Sequence, residues 1–156
     1  MNAPSSSEVT VHRSVGRTGI PTNASFAAWV QATLRGRRRG SRRQVNIALL
    51  DETEARALNR RDRGKDHATN VLSYRYEPLP GEQTALLGDL ALCAAVVSRE
   101  AAEQRKPLRH HYAHLTVHGV LHLLGHDHDS EAEAKRMEAL ERRILAGFGI
   151  PDPYVS

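Results

Sequence analysis

Three histidines whose spacing suits metal binding constrain this chain more than any other feature. His118, His122 and His128 form the pattern H-x3-H-x5-H, and Gly125 stands between the second and the third. Residues four apart lie on one face of a helix, so the imidazoles of His118 and His122 can reach one ion. A left-handed Gly125 would end that helix and let His128 reach the same point.

Three neutral nitrogen ligands with an open fourth position are typical of a catalytic zinc site rather than a structural one. We therefore predict one Zn²⁺ per chain as the cofactor, although another divalent metal would also suit these ligands. The alternative interpretation is three unrelated histidines on a helix and a loop.

The same spacing is similar to the H-E-x-x-H-x-x-G-x-x-H signature of the metzincin peptidases, in which the glutamate is the general base. Gly119 occupies the position of that glutamate here. The chain thus keeps the predicted ligands and lacks the base that peptide hydrolysis needs. A metallopeptidase whose base comes from elsewhere, for example from Asp127, stays open as an alternative.

The stretch HGVLHLLGHDH, residues 118–128, resembles the H-G-x-L-H-L-x-G-x-D-H motif of the YbeY family of bacterial metal-dependent endoribonucleases. Residues 58–74 resemble a second family signature, which contains L-N, R-G-K-D and T-x-V-L-S-F in the same order. Residues 87–92 resemble the family's L-G-D-I strand, and residues 148–154 resemble its G-x-x-D-P-Y close. The resemblance covers most of the chain from about Val45 onward.

The second signature also shows three departures. Ala68 stands where proline is usual, Tyr74 replaces phenylalanine, and Arg75 stands where a proline often follows. These positions belong to a loop and a strand end, so they concern local shape more than chemistry.

The resemblance implies an α+β fold. The expected architecture is a small, mostly four-stranded mixed sheet packed with about five helices, one of them a zincin-like helix that carries the metal ligands. Residues 1–8 are predicted to be a flexible tail, and residues 9–156 a single endoribonuclease domain. A chain of 156 residues is long enough to bury the core of one such domain.

The resemblance also implies a function. It indicates a metal-dependent, single-strand-specific endoribonuclease that acts in maturation of the 16S ribosomal RNA and in ribosome quality control. The implied partners are single-stranded RNA, ribosomal RNA, the small ribosomal subunit and ribosome-associated proteins.

The chemistry of the predicted site favours a phosphodiester. A cation held by three neutral histidines keeps its full charge, so it can polarise a phosphoryl oxygen and activate an attacking oxygen. By family analogy Arg63 reaches the same cleft and clamps the phosphate, since a guanidinium donates two parallel hydrogen bonds. From the residue alone, a surface salt bridge with Asp62 or Asp66 is the simpler interpretation.

We predict that His118 and Arg63 are catalytic. Either a water molecule or a ribose hydroxyl is compatible with these residues as the nucleophile. No carboxylate is an obvious general base. A non-catalytic, zinc-stabilised ribosome-assembly factor that binds RNA through its arginines is a second alternative.

Three more residues are candidates for roles around the metal or the substrate. His114, one turn before His118, can line the cleft, contact RNA or orient a ligand, or can be a partly buried polar residue. Asp127 can hydrogen-bond a ligand imidazole or hold the loop. Asp89 can fix the cleft through backbone hydrogen bonds or can simply end a strand pairing.

Other polar residues are predicted to lie outside the metal site. His110 and His111 are expected on the surface at the start of the metal helix. His126 is expected outside the metal shell, because Gly125 ends the helix before it. Cys93 is expected to be a small core residue.

The composition predicts a soluble protein in a reducing compartment. The single cysteine excludes an internal disulfide framework. The N-terminus has no secretory-signal pattern, and no run approaches the ~18 apolar residues of a membrane span. A cytoplasmic protein without membrane contact is therefore expected.

The basic residues are concentrated in one segment. The net charge is +4, and residues 35–43 hold six arginines in nine positions. The segment is either a phosphate-binding loop or a solvated connection that attracts RNA in a general way.

Periodicity predicts the order of helices and strands. Strands are expected at 9–15, 45–50, 71–76 and 86–93. Helices are expected around Phe26–Leu34, from a capping box at Asp51 and Glu54 to about Arg61, and at 94–104, 107–124 and 130–146.

Overall fold

The computed structural model describes residues 8–35 and 42–155. In this part of the chain four strands and five helices follow one another as β1 (Glu8–Arg13), α1 (Asn23–Leu34), β2 (Gln44–Leu50), α2 (Glu52–Arg63), β3 (Val71–Arg75), β4 (Leu86–Cys93), α3 (Ala94–Glu103), α4 (Leu108–Leu123) and α5 (Glu131–Ala146). Residues 1–7 and 36–41 lie outside the described residues, so the predicted tail and most of the arginine-rich segment stay predictions. Glu8, placed in the tail by the sequence, begins β1.

The strands form one mixed sheet in the order β1-β2-β4-β3. β1 and β4 both pair in parallel with β2, whereas β3 runs antiparallel to β4 at the edge. In β2, Val45, Ile47 and Leu49 are buried while the residues between them are half-buried, because alternate side chains point to opposite faces. The predicted α+β fold with a four-stranded mixed sheet is therefore confirmed.

Helix α4 lies in the core and contacts α1, α3 and α5 as well as β3 and β4. Ten of its sixteen residues are buried, which explains why its sequence is apolar on most sides. Tyr112 of α4 meets Phe26 of α1 edge-to-face, with ring centroids 5.8 Å apart, and Phe26 meets Trp29 in the same way at 5.5 Å. These contacts fix the position of α4 above the sheet. The likeness of α4 to a zincin helix stays a prediction.

Helix α2 begins at the predicted capping box and ends later than expected. The Glu54 backbone N–H donates to Asp51 Oδ1 at 2.8 Å, and the Asp51 N–H donates to Glu54 Oε1 at 3.0 Å. The helix continues past Arg61 to Arg63 and stops at Gly64, which has a left-handed conformation. Arg63 is consequently the last residue of α2, where the chain turns toward β3.

One prediction about α4 is wrong. His111 is not a surface residue: only 3% of it is exposed, and its Nε2 lies 2.8 Å from Glu100 Oε1 of α3. The reason is that position 111 lies on the face of α4 that packs against α3. His110 is half-buried, and α4 begins at Leu108, after its N-cap Pro107, one residue later than predicted. Within the described residues no helix has the length and apolar character that crossing a membrane requires.

Candidate metal centre

The three predicted ligand histidines lie together. His118 and His122 project from the last turns of α4, and His128 comes from the loop that follows. One ring nitrogen of each lies within 4.8 Å of the others, and the two Nε2 atoms of His118 and His122 are 3.1 Å apart. The His128 ring centroid lies 5.3 Å from that of His122 and 6.0 Å from that of His118. Three imidazole nitrogens converging in this way fit a single divalent ion.

Gly125 makes this convergence possible. Its φ of 97° is left-handed, as the sequence predicted, and only glycine adopts that conformation without strain. The His126 N–H then donates to the Leu121 carbonyl at 3.0 Å, which closes the end of α4. The His126 side chain lines a separate hollow with Leu121 and Leu124, outside the group of metal-ligand candidates.

Asp127 stabilises the loop that carries the third histidine. Its Oδ1 accepts a hydrogen bond from the His128 backbone N–H at 2.7 Å, and the same oxygen is 3.9 Å from His128 Nδ1. This hydrogen bond lowers the pKa of the Asp127 carboxyl, because it favours the ionised form. Of the two roles considered for Asp127, the geometry therefore favours holding the loop.

Gly119 packs closely against side chains of the sheet. A Cβ at this position would be 2.7 Å from Leu90 Cδ2 and 3.3 Å from Ser73 Oγ. A side chain at this position would require the Leu90 and Ser73 side chains to move, so the packing of α4 on the sheet favours glycine where the metzincin signature has glutamate.

The most important residue that sequence reasoning missed is Glu141. It lies on α5, is fully buried, and accepts hydrogen bonds from His118 Nδ1 at 2.7 Å and from His114 Nε2 at 2.8 Å. The Tyr154 hydroxyl donates to the same carboxylate. A carboxylate on Nδ1 fixes the tautomer in which Nε2 keeps its lone pair for a metal.

A signal for Glu141 was present in the sequence. Met137, Glu141 and Leu145 are spaced by four residues, and all three are buried on one face of α5. A glutamate in the middle of an apolar stripe needs a partner, and His114 and His118 of α4 supply it. The spacing along α5 shows only that Glu141 faces inward, whereas its partners come from an element more than twenty positions away.

The ionisation of these groups follows from their surroundings. Burial alone would raise the pKa of the Glu141 carboxyl, but the hydrogen bonds from His114, His118 and Tyr154 outweigh it and hold the pKa at about 2. Burial and the hydrogen bond to Glu141 raise the pKa of the Tyr154 hydroxyl. Burial, with the neighbouring His118 and His128, lowers the pKa of His122, which favours the neutral imidazole that a metal requires.

Arg63 faces the same cleft as the histidines. It makes neither of the ion pairs considered from the sequence, because Asp62 pairs with Arg61 at 2.7 Å and Asp66 pairs with Arg56 at 2.9 Å. Its guanidinium instead donates to the Ser73 carbonyl at 3.3 Å, and the residue is exposed. Arg63 is thereby aimed across β3 toward α4.

The cleft between β3 and α4 has a volume of about 710 Å³. Arg63, Arg75, His114, Asp127 and Tyr154 line it together with the three histidines. Asp89 does not belong to it. The Asp89 carboxylate accepts a hydrogen bond from Asn46 Nδ2 at 3.0 Å and lines a different hollow, next to His12, because its position in β4 points to the opposite face of the sheet.

Comparison with known proteins places the chain in a family. The family model described as "Endoribonuclease YbeY" matches residues 16–149. A protein of Chromohalobacter salexigens named Endoribonuclease YbeY is 55% identical over 135 residues, which cover 86% of this chain and 88% of the relative. A protein of Xanthomonas oryzae pv. oryzae with the same name is 55% identical over 151 residues, covering 94% of this chain and 92% of the relative.

A solved structure agrees at the level of the fold. The solution structure of TM1509 from Thermotoga maritima superposes with a TM-score of 0.57 at 21% identity, covering 95% of this chain and 99% of that chain. Together the family model and the sequence relatives show that this chain belongs to the YbeY family.

Proposed function

We propose that the chain is a zinc-dependent, single-strand-specific endoribonuclease that acts on the ribosomal RNA of the small subunit. The observation that carries this proposal is one cleft in which three convergent histidines face an arginine without a carboxylate partner among the described residues. The name of these relatives, Endoribonuclease YbeY, supports the same activity. We place the protein in the cytoplasm, with the ribosome and its associated proteins as partners.

His118, His122 and His128 would hold the zinc ion. Their donor set fits, because Glu141 directs the Nε2 of His118 toward the Nε2 of His122. When bound, a divalent ion at this place supplies Lewis acidity to a phosphoryl oxygen and to the attacking oxygen. The protein's part is to present neutral imidazoles in a fixed arrangement, and the buried carboxylate does this for His118.

Arg63 binds and orients the scissile phosphate. Its free N–H groups can donate to two non-bridging phosphate oxygens while the bond to the Ser73 carbonyl keeps the guanidinium on the cleft wall. Arg75 adds a second cation to the same wall. Both cations stabilise the negative charge on the phosphoryl oxygens in the transition state, and a single such donor contributes about 10²–10³-fold in rate in other enzymes.

The attacking oxygen can come from water or from the adjacent ribose 2′-hydroxyl. The products distinguish the two routes, because attack by the 2′-hydroxyl leaves a 2′,3′-cyclic phosphate whereas water leaves a linear phosphate. Glu141 is fully buried and holds three donors, so it does not serve as the general base for either route. Among the described residues, Asp127 is the carboxylate that lines the cleft, and its Oδ1 already accepts the hydrogen bond from the His128 backbone N–H.

Two alternatives make different predictions. A metallopeptidase would cut unstructured protein in a zinc-dependent way. Its usual glutamate base is absent here, because the closely packed Gly119 occupies that position. A non-catalytic assembly factor would bind zinc and RNA without cleavage. In that case Arg63→Ala weakens RNA binding, and His118→Ala mainly lowers the melting temperature.

The test is cleavage of a single-stranded ribosomal RNA fragment by protein whose zinc content has been measured. Wild type is compared with Arg63→Ala, His118→Ala and the control Arg60→Ala, which removes another exposed arginine of α2 that does not line the cleft. We expect activity that follows zinc occupancy, is kept by Arg60→Ala and is lost in the other two variants. Equal activity in all four preparations would indicate a contaminating nuclease and refute the assignment. Zinc at one ion per chain without cleavage would favour the assembly factor.

A further inference from the structure

A second hollow adjoins the metal cleft at Tyr154. It has a volume of about 590 Å³ and lies between the α3–α4 connection and the C-terminal segment 150–155. Tyr154 lines both this hollow and the metal cleft, so the two cavities are neighbours that share this side chain. The same ring packs edge-to-face on His114, with centroids 5.3 Å apart. The hollow therefore lies beside the metal cleft, on the side where an RNA strand that continues past Tyr154 would meet it.

The hollow has an unbalanced positive charge. Arg105 and Lys106 line one wall together with His110. Within residues 8–35 and 42–155 neither of the two cations makes an ion pair, although the Glu100 carboxylate attracts Lys106 at longer range. The acidic residue in the lining, Asp152, is already paired with Arg142 Nε at 2.8 Å. Cations left without carboxylate partners around a concave surface favour an anionic ligand.

Arg105 occupies a backbone position that favours glycine. Its φ is 54°, and it is the non-glycine residue with positive φ in the described structure. It follows the last turn of α3, where its N–H donates to the Ala102 carbonyl at 3.2 Å and the Lys106 N–H donates to the Ala101 carbonyl at 3.0 Å. Glycine takes this helix-ending position without strain, so the local fold does not require an arginine. The side chain is therefore a candidate for a role outside the fold.

The opposite wall is apolar and partly aromatic. Ile150, Pro151, Pro153 and Val155 line it beside Tyr154. Tyr154 is 43% exposed and Val155 70%, although both are large hydrophobic side chains. An exposed aromatic ring next to unpaired cations is the combination that binds single-stranded nucleic acid, since bases stack on the ring and phosphates meet the cations.

We propose that this hollow binds the nucleotides of a single-stranded RNA that flank the scissile phosphate. Arg105 and Lys106 contact backbone phosphates, and a base stacks against Tyr154 and the proline-rich wall. The inference rests on the proposed function, because it extends the RNA path from the metal cleft. The hollow therefore contributes to the affinity for longer strands and takes no part in the chemical step.

The test uses the double variant Arg105→Gly/Lys106→Gln. The glycine relieves the left-handed strain while removing the charge, so this variant is expected to keep or raise the melting temperature. The matched control is Lys135→Gln/Arg136→Gln, which removes two neighbouring charges from the exposed side of α5, away from both cavities. Net charge is thus equal in the two variants.

Two measurements are made on each protein. Fluorescence anisotropy in the presence of a chelator reports binding of a labelled oligoribonucleotide of about 10 nucleotides as salt is varied. Cleavage by the zinc-loaded protein is compared for the same strand and for a dinucleotide that fills only the metal cleft. For the Arg105→Gly/Lys106→Gln variant we expect Kd and KM for the long strand to rise about 10-fold, with a salt slope smaller by about 1–2. We expect kcat on the long strand, and kcat/KM for the dinucleotide, to stay unchanged.

Unchanged long-strand binding in the variant would overturn the inference, and so would an equal loss in the control. A loss of dinucleotide cleavage would also overturn it, because the hollow would then act in the chemical step. If the wild type cleaves neither RNA, the proposed nuclease activity fails while the anisotropy still decides on the hollow. Binding weakened only in the variant would then assign the hollow to an RNA-binding protein without nuclease activity.

Discussion

The Glu141→Gln substitution tests how the buried carboxylate prepares the metal site. The two oxygens of Glu141 divide three donors between them: Oε2 accepts from His118, and Oε1 accepts from His114 and Tyr154. A glutamine of the same size has one oxygen and one NH₂ group, so it cannot satisfy both sides. If the NH₂ group faces His118, then Nδ1 must accept and the proton moves to Nε2, where it blocks metal binding. If the oxygen faces His118, Tyr154 and His114 lose their acceptor.

The magnitude follows from the role of such outer partners. Loss of a carboxylate behind a ligand histidine costs about 10–100-fold in metal affinity in other sites, or about 1.4 to about 2.7 kcal/mol. Glu141 is fully buried, so water does not replace the missing acceptor. We therefore expect the upper half of this range for zinc.

The assay is a competition titration against a chromophoric zinc chelator. The control is Glu138→Gln, one turn earlier on α5, because the Glu138 carboxylate is 4.0 Å from Arg142 and is not bonded to the histidines. Melting of the metal-free proteins separates an effect on folding from an effect on the site. Zinc affinity equal to wild type in a folded Glu141→Gln protein would refute the orienting role of Glu141.

Three further predictions concern stability. The folded-state pKa of Glu141 is about 2, against an ordinary value of 4.5, so its ionisation stabilises the fold above about pH 4.5, and on the order of 3 kcal/mol is lost as the pH falls toward 2. Urea unfolding of the metal-free protein at several acidic pH values checks this, since Glu141→Gln should remove this contribution while that of other carboxyls with a lowered pKa, such as Asp62, remains. Gly119→Ala should cost about 1–3 kcal/mol in urea unfolding because its Cβ meets Leu90 at 2.7 Å, whereas Gly16→Ala, with nothing within 4 Å, should have little effect; equal effects would contradict the packing argument. Tyr74→Phe should cost about 1 kcal/mol, because the hydroxyl donates to Asp62 at 2.8 Å, and a melting temperature equal to wild type would show that this bond contributes nothing.

Much of the fold could be predicted from local pattern. The mostly apolar, β-favouring run at 45–50 predicted β2, and Asp51 with Glu54 predicted the start of α2, because strand preference and capping depend on residues a few positions apart. The end of α2 was less accessible. The helix continues to Arg63, two residues beyond the predicted end near Arg61, because the left-handed cap is Gly64.

The sequence by itself determined the three histidines as a group, since two of them are one helical turn apart and Gly125 turns the chain between the second and third. It also singled out Arg63, through the resemblance of its motif. Only the tertiary structure decided which residues surround them. The packing of α5 on α4 brings Glu141 to His118. Asp89 of β4 points to the face of the sheet opposite the metal cleft. The packing of α3 on α4 likewise buries His111 against Glu100. Periodicity along one element shows which face a residue occupies, but the residue that meets it comes from a distant part of the chain, and that pairing is fixed by how the helices and the sheet pack together.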